Sequence, residues 1–144
     1  MRNKLTYFGH VLRAVGVSPD PEKVKAITEL QAPTNVPELR RLIRIINYLG
    51  RFIPNLASVM RPMSELLKSD TAWTWRLAQQ TAFTKVKEMT NTVLMLAFYD
   101  SKKPTVVCTD ASTYGIGGVL MQGPSDQLRP VGFCSRPLTE TGVR

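Results

Sequence analysis

At the turn Tyr99-Asp100-Ser101-Lys102-Lys103-Pro104 the apolar period of this 144-residue sequence changes from about 3.6 to two. Four helices are predicted before that point. Asp20 can cap the first, with Pro21 at its first position and Glu22 in its first turn, and Val24, Ile27 and Leu30 form its stripe before Ala32-Pro33 ends it. The second starts at Asn35, with Glu38 in capping-box spacing and Leu39, Leu42, Ile43, Ile46 and Leu49 inward, and Gly50 marks its end. The third runs from Asn55 to about Ser69, with Pro62 kinking or splitting it, and the fourth starts near Thr74 with Ala82, Phe83, Val86 and Met89 on one face. After the turn, Thr105–Thr109, Gly117–Gln122 and Pro130–Ser135 read as an antiparallel meander. Residues 5–17, interrupted by Gly9 and Gly16, read as a hairpin or a pair of short strands. The expectation is an α+β chain: an N-terminal β-hairpin, four helices over residues 19–91 and a three-stranded sheet over residues 104–136. One face of that sheet is expected to be bare, and labile unless the helical unit covers it.

Composition narrows the function classes. Hydrophobic residues make up 43% and charged residues 21%, enough for a buried core. No window approaches the roughly 18 unbroken apolar residues of a membrane span. The N-terminus MRNKLTYFGHVLRA lacks a signal-peptide core, so an intracellular chain with no membrane partner is expected. Cys108, Cys134 and the single His10 exclude a disulfide scaffold and cannot close a four-ligand zinc site alone. Nineteen Lys and Arg against eleven Asp and Glu give +8, and all of it falls in residues 1–105. Residues 106–144 are neutral, so two segments with different tasks are implied. An anionic partner is favoured, nucleic acid before a membrane surface.

Five arginines, Arg40, Arg41, Arg44, Arg51 and Arg61, lie between Glu38 and Glu65 with no acid among them. Arg40, Arg44 and Asn47 lie opposite the apolar face of the second helix, and guanidinium groups grip phosphate oxygens bidentately. The same pattern describes an ordinary solvated helix face. Asp110 ends a β-branched strand; it can ligate a metal if other carboxylates converge, or simply initiate a turn. Gly115-Ile116-Gly117-Gly118 lacks the ending of a phosphate loop, and its glycines fit a close backbone approach to the sheet or to a ligand. The two cysteines read as small buried hydrophobes, and Trp73 and Trp75 as core anchors.

In order, FGHVLRAVGVSPDPEKVKAI, APTNVPELRRLIRIINYLGRFIPNLA, PMSELLK, FYDSKKPTVVCTDASTYGIGGVLMQ and PVGFCSRPLTET closely resemble the Pol polyprotein of gypsy-type LTR retrotransposons. The resemblance spans nearly the whole chain. It implies that residues 1–18 are the end of a reverse-transcriptase palm, with Phe8, Gly9 and His10 at the primer-grip turn. Residues 19–100 would be the thumb and connection that clamp a primer–template duplex. Residues 101–144 would be the start of a ribonuclease H domain, with Asp110 its first metal-binding carboxylate and Mg2+ the family's cofactor.

Departures from that family shape the functional expectation. No Asp-Asp pair for polymerase magnesium occurs in the sequence. A two-metal nuclease needs about four carboxylates, and beyond Thr139-Glu140-Thr141 the sequence runs Gly142-Val143-Arg144 where the family enters a helix bearing the next one. Glu140 precedes that helix and Asp126 sits in a hairpin turn, so neither substitutes. Arg44 stands where the family has glycine. The expectation is a non-catalytic piece of Pol that binds an RNA–DNA or DNA duplex weakly and non-specifically, alongside the rest of the polyprotein. The alternatives are a relic or host-recruited interaction module, or an excised piece of an active enzyme.

Overall fold

A computed structural model describes residues 4–7, 10–93 and 95–138. Phe8, Gly9 and Glu140 lie outside the described residues. The N-terminal segment is a three-stranded antiparallel meander rather than a two-stranded hairpin: β1 (Lys4–Tyr7), β2 (His10–Arg13) and β3 (Gly16–Pro19). The third strand pairs antiparallel with β2 along its whole length, from His10–Pro19 to Arg13–Gly16, and Val17 also exchanges both backbone hydrogen bonds with Leu96, at 2.8 and 2.7 Å. A Cβ on Gly16 would strike the Leu96 carbonyl and the Met95 side chain, so glycine permits this approach.

Four α-helices follow: α1 (Pro21–Thr28), α2 (Val36–Asn47), α3 (Leu56–Ser64) and α4 (Leu77–Asn91). Asp20 caps α1, its Oδ1 accepting from Glu22 N at 3.0 Å, with Pro21 in the first turn as expected. Asn35 caps α2 through Oδ1 and Glu38 N. Glu38 does not return to the capping residue; its Oε2 accepts from the amide and hydroxyl of Thr34, one residue earlier. Those bonds, the backbone one first, hold the Glu38 carboxyl below its usual range. Helix α2 ends before Gly50, which opens a 3-10 turn, Gly50–Phe52. Pro62 neither breaks nor splits α3 where it stands; the helix tightens to a 3-10 turn only at Glu65–Leu67. The Pro62 carbonyl accepts from Gln79 Nε2, which joins α3 to the start of α4.

The helical stripes meet in one core of Ile27, Leu39, Leu42, Ile46, Leu49, Phe52, Ile53, Leu56, Met60, Met63, Leu66, Phe83 and Val86, with Val17 and Leu96 joining from outside the helices. Full burial of each large side chain contributes about 1.5–3 kcal/mol. Thr90, rather than Met89, completes the buried face of α4, its hydroxyl donating to Val86 O at 2.8 Å.

The second sheet is β4 (Thr105–Ala111), β5 (Gly115–Gln122) and β6 (Arg129–Pro137), antiparallel in the order β4-β5-β6. Asp110 therefore lies within β4, paired with Gly117, and does not end the strand. The helical unit supplies part of the missing cover: Phe133 packs against the helical core, and Ser135 Oγ accepts from Ala57 N at 2.9 Å. Strand β4 receives none of it, and all seven of its residues are exposed. Both cysteines are exposed, contrary to a buried role, because Cys108 sits on that bare strand and Cys134 at the solvent side of β6.

Candidate nucleic-acid interface

Strong apolar burial along one side of α2 forces its basic residues outward. Leu39, Leu42 and Ile46 are buried, while Arg40 and Arg44, one turn apart, are exposed on the far side. Neither makes an ion pair among the described residues. The other three arginines do not join that face. Arg41 lines a separate groove with Leu30, Pro33 and Glu38. Arg51 borders an open groove of about 490 Å³ between α2, α3 and β6, whose floor includes Ile43, Met60 and Phe133. Arg61 is half-buried, with Nε 3.0 Å from Glu65 Oε1 and its guanidinium carbon 3.6 Å from the Tyr114 ring centroid. It tethers α3 to the β4–β5 turn.

His10 reaches from β2 onto the helical unit. Its ring stacks on Tyr48 at 5.1 Å between centroids and 9° between planes, and Phe52 tilts against it at 5.5 Å. Tyr48 Oη lies 3.3 Å from His10 Nδ1, and the Lys23 ammonium lies 4.8 Å from the Tyr48 ring centroid. Burial first, then the charges of Arg51 and Lys23, hold the His10 imidazole below its ordinary value of 6.5. Burial pushes the Tyr48 phenol up.

Asp110 borders a small cleft with Pro54, Asn55, Cys108, Gly117 and Phe133. Among the described residues no three His, Cys, Asp or Glu side chains gather into a metal-binding group. The donors present do not fit a pair of magnesium ions, which requires several converging carboxylates.

Lys23, Tyr48 and Asn55 escaped the sequence reading as site residues. Tyr48 sits one position beyond α2 and breaks its apolar period, a signal that was available. Nothing local marks Asn55, whose left-handed backbone (φ 54°) points its side chain at β5.

Residues 75–144 match the RNase H-like domain found in reverse transcriptase. The match begins ahead of α4 and takes in the second sheet, so that part of the chain is similar to an RNase H-like reverse-transcriptase domain. Over 141 residues the chain is 34% identical to the Retrovirus-related Pol polyprotein from transposon 297 of Drosophila melanogaster, covering 97% of this chain and 13% of that protein. The Transposon Tf2-3 polyprotein of Schizosaccharomyces pombe is 29% identical over 140 residues, 96% of this chain and 10% of that protein. The chain is thus a relative of the Pol polyproteins of gypsy-type LTR retrotransposons, as its motifs imply, and corresponds to a small segment of them. The fold is that of a segment of foamy viral protease–reverse transcriptase. One such structure, in complex with RNA/DNA hybrid, matches with TM-score 0.83 at 20% identity over 99% of this chain and 20% of that one. Another, in complex with dsDNA, matches with TM-score 0.85 at 19% identity over 100% of this chain and 30% of that one. No helix among the described residues is long and apolar enough to cross a membrane.

Proposed function

We propose that this chain grips a nucleic-acid duplex, RNA–DNA or DNA, by its sugar–phosphate backbone, as the thumb-like part of a larger Pol polyprotein. The observation that carries the reading is the exposed Arg40–Arg44 face of α2, free of ion pairs among the described residues and backed by a rigid core. The confinement of the whole +8 to residues 1–105 supports it. In this reading residues 1–18 are the palm end, 19–100 the thumb and connection, and 101–144 part of the ribonuclease H domain. Arg51 adds a contact from the groove beside α2, while Arg41 and Arg61 contribute less, being turned to other surfaces. In this reading Asp110 stands at the position of the first ribonuclease H carboxylate, and the chain by itself binds the duplex without cleaving it.

Affinity comes from counterion release. Three to five phosphate contacts give a log–log salt slope of about −3 to −5 and dissociation constants on the order of micromolar or weaker at physiological salt. The test is a salt titration of hybrid and DNA duplex binding. Arg40→Glu with Arg44→Glu flattens the slope by about two contacts and leaves the fold intact. Arg129→Glu with Arg136→Glu does much less. Salt-independent binding, or equal effects of the two pairs, overturns the reading in favour of an interaction module.

A further inference from the structure

Strand β6 is an outer strand of its sheet, and its free edge opens onto the groove of about 490 Å³ beside α2 and α3. Alternation fixes which backbone groups face outward. Leu138 N donates to Tyr114 O, so position 138 bonds toward β5, and by the register of the pair Arg136, Cys134 and Gly132 do the same. The N–H and C=O groups of Phe133 and Ser135 therefore point to the open edge, along the groove that both residues line. No backbone partner for them occurs among the described residues. The strand is guarded at its ends and bare at its centre. Pro130 and Pro137 have no N–H, and the Pro130 carbonyl is taken by Ala97 N. Between them Val131 to Ser135, about 13 Å of strand, offers open donors and acceptors.

The groove gives that edge a chemical preference. Its floor of Ile43, Met60 and Phe133 is apolar, and no acidic side chain lines it among the described residues. The Arg51 side chain lies flat along β6: a Cβ on Gly132 would stand 3.6 Å from its Cγ and 3.9 Å from its Nε. Arg51 is exposed and in no ion pair among the described residues. The free edge of β4 differs. Ser112 N donates to Gly115 O, which by the same alternation turns the backbone groups of Thr105, Val107 and Thr109 outward. That strand carries Asp110 and no cation.

We propose that the free edge of β6 takes an extended acidic peptide of a partner protein as a fourth strand of the sheet. Its backbone bonds to Phe133 and Ser135, an apolar side chain rests on the groove floor, and a carboxylate meets Arg51. Main-chain bonds supply affinity, and the alternate side chains supply selectivity. A second copy of this chain is a poor occupant, since it brings its own +8 and a second Arg51 to the same edge. The proposal goes beyond the duplex reading and does not depend on it, because the peptide uses neither Arg40 nor Arg44.

The experiment is amide hydrogen exchange by NMR on the whole chain, with and without a peptide of about eight residues alternating valine and glutamate. The expected result is that exchange at the Phe133 and Ser135 amides slows by about tenfold or more at saturation, while Val107 and Thr109 keep their rates. Anisotropy of the labelled peptide gives its affinity. Replacing glutamate by lysine in the peptide, or N-methylating its amides, should weaken binding by about tenfold or more. Arg51→Gln should weaken the valine–glutamate peptide by about fivefold to tenfold. Lys85→Gln, which removes the same charge from an exposed position of α4, should change it by less than about twofold. Protection that appears on β4 instead of β6 overturns the proposal. So does equal binding of the N-methylated peptide, equal effects of Arg51→Gln and Lys85→Gln, or no binding of the valine–glutamate peptide. Duplex binding measured on the same protein stands or falls separately, on the Arg40 and Arg44 pair.

Discussion

Asn55 occupies the space that a side chain on Gly117 would fill: a Cβ built on Gly117 meets Asn55 Oδ1 before any other atom. Two residues away in β5, a Cβ on Gly115 would come within 3.2 Å of Ser58 Oγ. The first turn of α3 therefore rests on the bare backbone of β5, and the Gly115-x-Gly117 spacing is the footprint of that turn.

Gly117→Val should destabilise the chain by about 1–3 kcal/mol, the range for overpacking a filled site. Gly117→Ala should cost less, and combining it with Asn55→Gly should restore part of the loss, since glycine accepts the left-handed backbone at 55 without strain. Urea denaturation of the singles and the double measures the coupling. Strict additivity would show that the two residues do not press on each other.

The Arg61–Tyr114 contact makes a second joint between helix and sheet. A double-mutant cycle of Arg61→Ala and Tyr114→Ala should return a coupling of about 0.5–1 kcal/mol, the range for a partly exposed cation–π pair. The coupling should survive high salt better than the exposed Arg61–Glu65 ion pair does, because a stacked guanidinium is held by the ring as well as by charge.

Acid should loosen the His10 stack in the unliganded chain. The unfolded imidazole takes its proton near 6.5 and the folded one resists until lower pH. The unfolded state therefore binds more protons, and stability is lost as pH falls from above 6.5, with no effect from this group at higher pH. His10→Phe should remove that acid-side slope while keeping an aromatic ring on Tyr48. Thermal melts of both proteins between about pH 8 and pH 5 test it, and equal slopes would refute it.

Magnesium at millimolar concentration should leave the melting temperature of the chain unchanged, as should Asp110→Asn. A lone exposed carboxylate leaves most ligand positions to water. Magnesium-dependent cleavage of a hybrid that vanishes in Asp110→Asn would show that further carboxylates reach it.

The helices were legible because their signals are local. Asp20-Pro21 and Asn35 cap where their side chains can reach the first amides, and the apolar stripes are buried nearly as spaced. Strand β3 was legible only in part: the reading of residues 5–17 stops inside it, whereas its pairing with β2 runs on from Gly16 to Pro19, and its bridge to Leu96 joins residues far apart in the chain. The same holds for Asp110: a strand reading from Val106 to Thr109 stops at the first polar residue, but pairing with Gly117 carries β4 through to Ala111. The arginines show the limit most plainly. Sequence spacing groups Arg61 with Arg40 and Arg44, yet Tyr114, contributed by the sheet, draws it elsewhere. Gly115 and Gly117 lay between the two, because the need for a close approach was readable and the identity of what approaches was not.

Leu96 and Ala97 are bonded on both sides, to Val17 in one direction and to the Pro130 carbonyl in the other. Arg129 reinforces the same seam by reaching the Val15 carbonyl at 3.4 Å. A passage between two working parts of a molecular machine is commonly a swivel, free to absorb rotation as a load advances. Here it is a weld. Turning the Asp110 sheet against the N-terminal sheet would break either the Ala97–Pro130 bond or the Val17–Leu96 pair, so the seam resists that rotation.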